Sequence, residues 1–212
     1  QTDLATGNAR ITDYSYNGYG KVETILLPEN DNGQRASYTI EYDDYSQSLP
    51  ARVTNQWGHT SSTSYHRYWQ LPTLVTDVAG QTMLYSYDLL GRLISILTPK
   101  EARTCDTTIE YTYNNFAKKY SYIEVKKCYF DEEDGICYIA EEYNTFVDAR
   151  GDILQRQSQR HNGCVVSGRS GRDCFGRTTI TYANARIKVL LDSIYSENYD
   201  LITRTAYDIL DR

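Results

Sequence analysis

An Asp or Asn followed three residues later by Gly recurs seven times in this chain of 212 residues: Asn17–Gly20, Asn30–Gly33, Asn55–Gly58, Asp77–Gly80, Asp88–Gly91, Asp148–Gly151 and Asp173–Gly176. The chain holds 28 Asp plus Asn and 13 Gly. Chance placement would give roughly two such pairs, so the pattern is a repeat. Asp43 in "DDYSQ" and His66 in "HRYWQ" read as degenerate copies, and the starts at 17, 30, 43, 55, 66, 77 and 88 then advance in steps of 11 to 13 residues. An Asp or Asn side chain can accept a hydrogen bond from the backbone two residues on. A Gly three residues later supplies the left-handed conformation that closes a type I turn with a bulge. Each copy is therefore a hairpin loop, and the step leaves about seven or eight residues per strand. The fold this predicts is all-β, an antiparallel meander of short hairpins.

Composition points the same way. The chain has 21 Tyr against 4 Pro and one Met, and aromatic and β-branched residues suit a pleated, half-buried surface. With 22 basic and 28 acidic residues the net charge is -6, which argues against nucleic acid as a partner. No apolar run approaches the ~20 residues of a membrane span. The opening "QTDLATGNAR" lacks the basic-then-apolar pattern of a secretion signal.

The stretch "YSYDLLGRLISI", Tyr85 to Ile96, shows what the motif asks of its neighbours. With Leu89, Leu90 and Gly91 in the loop, Asp88 is expected to face Arg92, Tyr87 to face Leu93 and Tyr85 to face Ser95. Tyr85, Tyr87 and Leu93 then share a face on which aromatic rows can stack. Asp88 and Arg92 pair across the strands, as do Asp173 and Arg177 in "RDCFGRTTITY".

These residues resemble the tyrosine-aspartate (YD) repeat proteins, which include the rearrangement-hotspot (Rhs) proteins, the B and C components of insecticidal toxin complexes, and teneurins. "YSYDLLGRLISILTP" (Tyr85 to Pro99) is close to the family repeat, and "YSYNGYGKVETILLP" (Tyr14 to Pro28) is a second copy with Asn and Lys for Asp and Arg. "YTYNNFAKK" (Tyr111 to Lys119) and "AYDILDR" (Ala206 to Arg212) are weaker copies. "FVDARGDILQRQ" (Phe146 to Gln157) is similar to a toxin-complex segment reading Val-Asp-x-x-Gly-Arg then Gln, with Asp152 in place of the Arg. The resemblance implies a curved β-strip that spirals into a hollow shell, in the bacterial toxins around a C-terminal toxic polypeptide. The chain reads as one segment of such a strip: regular repeats over 14–118, an irregular insert at 119–145, and further repeats over 146–212. The family's Asp-Pro-x-Gly-Leu core signature has no match here, so the expectation is wall belonging to a longer chain. The implied partners are the rest of that shell and the enclosed toxin polypeptide, in a secreted or cell-surface setting. The alternative is a teneurin-like adhesion module that takes a cell-surface protein or glycan.

Chemical sites are sparse, and neither a cofactor nor an enzymatic activity is expected. Cys128 and Cys137 flank the acidic turn of "KKCYFDEEDGICYI" and could face each other in a hairpin disulfide. Cys164 with His161 in "HNGC" could start a zinc site or a nucleophilic dyad, but no second close pair supports either. Asp131, Glu132, Glu133 and Asp134 suit a solvated turn better than a calcium loop, which needs spaced oxygen ligands. The "RGD" at Arg150 to Asp152 straddles the hairpin loop that begins at Asp148. Trp57, Trp69 and the tyrosines could stack on sugars, although rows of Tyr that hold strands together explain them more simply.

Overall fold

The computed structural model describes residues 10–100, 105–114, 121–148, 150–160, 163–188, 190–191 and 201–207. Strands and their turns account for the regular structure of these residues, with no helix among them. The chain divides into two compact units, residues 1–100 and 101–212.

The first unit is a meander in strict chain order. It runs through β1 (Asp13–Tyr16), β2 (Val22–Glu29), β3 (Arg35–Tyr42), β4 (Pro50–Asn55), β5 (Thr60–Tyr65), β6 (Pro72–Thr76), β7 (Thr82–Tyr87) and β8 (Leu93–Leu97), each antiparallel to the next. Every strand joins its neighbour through one of the predicted turns, so turns at 17, 43, 66 and 88 line one end of the sheet and those at 30, 55 and 77 the other. Among the described residues, none of the fully buried side chains belongs to this unit. It is a single-layer sheet held by its ladders and cross-strand pairs.

The register of the opening stretch is as expected nearest the turn, where Tyr87 faces Leu93. A bulge then intervenes between Ser86 and Tyr87, and Tyr85 faces Ile96 instead of Ser95. Within this unit the same shift recurs between Ser15 and Tyr16, Glu41 and Tyr42, and Ser64 and Tyr65, while the turns at Gly58 and Gly80 have none, so it accompanies the tyrosine before the turn and not the glycine within it. An irregularity of another kind lies in β2 between Leu26 and Glu29, around Pro28, which has no N–H to donate. Arg35 fills the gap: its Nε donates to Leu27 O at 2.7 Å, and its Nη2 to Leu26 O and Ile11 O at 3.1 and 3.0 Å. Its Nη1 bonds Asp13 at 2.7 Å, tying β1 to the same point.

The second unit comprises β9 (Ile109–Asn114), β10 (Ser121–Asp131), β11 (Ile136–Val147), β12 (Ile153–Arg160), β13 (Gly163–Ser167), β14 (Ser170–Arg172), β15 (Thr178–Tyr182), β16 (Ala185–Ile187) and β17 (Leu201–Arg204). β9 to β13 continue as a meander with β16 on β13, while β14, β15 and β17 form a small separate sheet. The stretch 119–145, which fits the repeat poorly, contains the 11- and 12-residue strands β10 and β11. "YIEVKKCYF" alternates well enough to extend, and the turn after it is simply of another kind. Four residues separate Asp131 from Ile136 here, with Gly135 N donating to Asp131 O.

That loop corrects the expected disulfide. Cys137 stands opposite Phe130 and Cys128 opposite Ile139, so the two thiols are two positions out of register. The disulfide joins Cys137 to Cys105, in the segment leading into β9, across a Cα–Cα distance of 6.0 Å. Cys128 is a free thiol.

The buried residues of the second unit are unusually polar. Phe146 and Val166 are fully enclosed, but so are Gln155 and Gln157. Gln157 Oε1 accepts from Leu191 N at 2.8 Å, and Asn144 Nδ2 donates to Leu191 O at 3.1 Å. The two side chains thus extend a backbone-like pair of bonds from the sheet face to the segment at 190–191, which satisfies Asn144 Nδ2 and Gln157 Oε1 but leaves Asn144 Oδ1 buried without a partner.

Candidate functional site: the repeated turn and its tyrosine

The seven turns share one bonding scheme. At Asp88, the N–H donates to Arg92 O at 2.9 Å and the C=O accepts from Gly91 N at 3.0 Å. Its Oδ1 accepts from Leu90 N and Arg92 N, both at 2.9 Å. Asn17, Asn30, Asn55, Asp77, Asp148 and Asp173 make the same bonds, since Asn and Asp both present an Oδ1. Gly20, Gly33, Gly58, Gly80, Gly91, Gly151 and Gly176 hold φ between +73° and +88°, a region costly for any residue with a Cβ.

Arg92 and Arg177 complete the turn where the motif carries Asp and Arg. Each Nε bonds the carboxylate Oδ2 of Asp88 or Asp173 at 2.7 Å. Partial desolvation resists ionisation of Asp88 and Asp173, but hydrogen bonds from the backbone and the guanidinium outweigh it and lower both pKa values. Asp148 is lowered by backbone bonds from Arg150 and Asp152 against the same opposition.

The degenerate copies are turns too, with longer loops. Asp43 N donates to Leu49 O and His66 N to Leu71 O, while the left-handed positions are taken by Gln47 and Gln70 at φ 53° and 54°. The Asp43 carboxylate gathers Ser46 N, Ser46 Oγ, Ser48 N and Leu49 N. These bonds overcome the desolvation it suffers and hold it ionised far below the usual Asp range.

The tyrosine of the repeat has a role the sequence did not reveal. Tyr42, Tyr65 and Tyr87, each immediately before a turn, donate their hydroxyls at 2.8 Å to Val22 O, Pro50 O and Pro72 O, each on the first residue of the preceding strand. In the second unit Tyr207 likewise donates to Thr178 O, on the first residue of β15, at 3.0 Å. The rings thus act as struts that cap a strand-end carbonyl, in addition to covering sheet surface. The one legible signal is that Tyr42, Tyr65 and Tyr87 each precede the turn residue by one position.

Neighbouring turns also touch. The Arg67 guanidinium lies 4.8 Å from the Tyr45 ring centroid, linking the turns at 43 and 66. Trp69 packs so closely on Gly91 that a Cβ there would meet its ring at 2.9 Å. Gly91 is therefore demanded by space as well as by φ.

The remaining candidates have structural partners. Asp152 of the "RGD" ion-pairs with Arg172 at 3.1 Å, and Arg150 lies near Asp148 and Asp152 at 3.6 and 3.7 Å. In the acidic turn, Asp131 accepts from Glu133 N, and Asp134 from Ile136 N and the Tyr138 hydroxyl. The buried Cys164 thiol donates to Gln159 Oε1 at 2.7 Å, and burial together with Glu142 pushes its pKa up, away from thiolate chemistry. His161, the other half of the proposed dyad, lies outside the described residues, as do Ala117 and Asp208 to Arg212 of the weaker repeat copies. Among the described residues no three His, Cys, Asp or Glu side chains gather as a metal site. What the geometry offers is a repeated mechanical joint.

No family model and no curated protein matches the chain. Solved structures do. TcdB2-TccC3 aligns over 87% of this chain and 12% of its own, with a TM-score of 0.64 and 15% identity. TcdB2-TccC3-Cdc42 aligns over 87% of this chain and 14% of its own, with a TM-score of 0.64 and 13% identity. The Photorhabdus luminescens Tc holotoxin pore, carrying a TccC3 substitution, aligns over 84% and 13%, with a TM-score of 0.63 and 14% identity. The all-β meander implied by the YD-repeat resemblance is thus the fold this chain has, and it shares that fold with a short stretch of TcdB2-TccC3 and of the Tc holotoxin.

Proposed function

We propose that this chain is a wall segment of a toxin-complex shell that encloses a C-terminal toxic polypeptide. The observation that carries the reading is an antiparallel meander, in chain order through β1 to β8 and β9 to β13 and with one turn scheme at seven of its turns, in a chain that matches TcdB2-TccC3 over 87% of its length. The chain spans only 12 to 14% of those polypeptides, so its partners are the rest of its own shell and the cargo. The function is containment without catalysis: strand ends are capped, and the turn carboxylates are committed to the backbone of their own loops and, at Asp88 and Asp173, to the guanidiniums of Arg92 and Arg177. A single-layer sheet encloses much volume per residue, and closure of the shell removes the sheet edges that would otherwise invite association. The setting is secreted, and the Cys105–Cys137 disulfide suits an oxidising compartment. The adhesive alternative finds less support, since both charges of the "RGD" face carboxylate or guanidinium partners.

The test is protease protection in the full-length polypeptide. Its C-terminal segment is expected to survive trypsin until urea opens the shell, and electron micrographs are expected to show a hollow particle. Cleavage as fast as that of the isolated segment, or a particle without an interior, would overturn the reading.

A further inference from the structure

The two turns that break the repeat's rule bound the same cavity. A space of about 510 Å³ lies between the turns that begin at Asp43 and His66, at one end of the first unit's sheet. That falls within the ~300–1,000 Å³ of small-molecule pockets. Both turns are longer than the seven motif turns, and both place Gln, at 47 and 70, in the left-handed conformation that those turns give to Gly. Of the two, Gln70 lines the cavity, and strain of this kind in a cavity wall is a pointer to ligand recognition.

We propose that this cavity is a carbohydrate-binding subsite for a neutral oligosaccharide. Tyr45, with 62% of its surface exposed, offers a ring for the C–H face of a pyranose, and Arg67 steadies that ring at 4.8 Å. Asp44, Arg67 and Gln70 line the cavity with planar acceptors and donors, matched to hydroxyls that both donate and accept. His66 Nδ1 accepts from Tyr68 N and Trp69 N, each at 3.3 Å, which places the proton of the neutral ring on Nε2 as a further donor. Asp43 is consumed by its own loop and serves as frame. Other ligand classes fit worse: a phosphate would meet two carboxylates, and an acyl chain would find only Leu49 and Ala51 as aliphatic lining. The subsite is independent of containment and concerns what the wall's surface recognises.

The experiment is isothermal titration of the full-length polypeptide with maltopentaose, cellopentaose, chitopentaose and lacto-N-tetraose. At least one of these is expected to bind. Gln70→Gly relieves the backbone strain, so it is expected to raise the melting temperature while weakening binding about tenfold. Tyr45→Ala is expected to weaken binding similarly, and Trp57→Ala, on an exposed turn at the opposite strand end, to leave it unchanged. Absence of binding to all four sugars, wild-type affinity in Gln70→Gly and Tyr45→Ala, or an equal loss in Trp57→Ala would each overturn the proposal.

Discussion

At the level of single residues, the turn acids are the groups whose ionisation matters most. Asp88, Asp148 and Asp173 have folded pKa values below the ordinary carboxylate value of about 3.9. The folded chain therefore binds fewer protons than the unfolded chain. Their contribution is fully present above about pH 4 and is lost as the pH falls through the folded values. Asn17, Asn30 and Asn55 make the same backbone bonds without titrating. Asp88→Asn should accordingly keep the turn, lower stability at neutral pH because Arg92 loses its carboxylate, and flatten part of the decline below about pH 4. Urea midpoints measured across that range check this, and a decline as steep as in wild type would refute it. The role of the acid and the Gly was readable in the sequence because every bond involved closes within four residues.

At the level of strands and hairpins, the tyrosine struts join what the turns leave loose. Tyr87 lies next to the Asp88 turn, and its hydroxyl reaches Pro72 O on the neighbouring β6 side of the meander, at 2.8 Å. Its surroundings disfavour the phenolate, chiefly by burial and then by Tyr85, so the hydroxyl stays a donor well beyond neutral pH. Tyr87→Phe is expected to cost about 1 kcal/mol, the worth of one such bond. Tyr85→Phe is expected to cost less, since its hydroxyl meets only Met83 Sδ at 3.8 Å. Chemical denaturation of the two variants side by side decides the point, and equal losses would mean that ring packing is what counts. The tyrosines stood out in the sequence as a face-sharing row. Their carbonyl partners did not, because each is 15 to 20 residues away and depends on strand order.

Across the whole chain, the two units are braced differently. The first has no disulfide and no fully buried side chain among its described residues, whereas the second has Cys105–Cys137 and the Gln155, Gln157 and Phe146 cluster. The disulfide closes a separation of 32 residues, for which loop entropy suggests about 3–4 kcal/mol. Reduction should therefore speed hydrogen exchange in β9 to β11 and leave β2 to β7 unchanged. Uniform loss across both units would show that they open together. In the first unit, strand existence, turn positions and the antiparallel order followed from the sequence, because a motif of four residues at a regular step dictates where the chain must reverse; in the second, the long strands β10 and β11 within 119–145 and the separate sheet of β14, β15 and β17 did not. Bulges, the partner of Cys137, the strut acceptors and the buried Gln pair did not follow. Each depends on register accumulated over tens of residues or on the segment at 190–191, where one added loop residue changes which side chains meet.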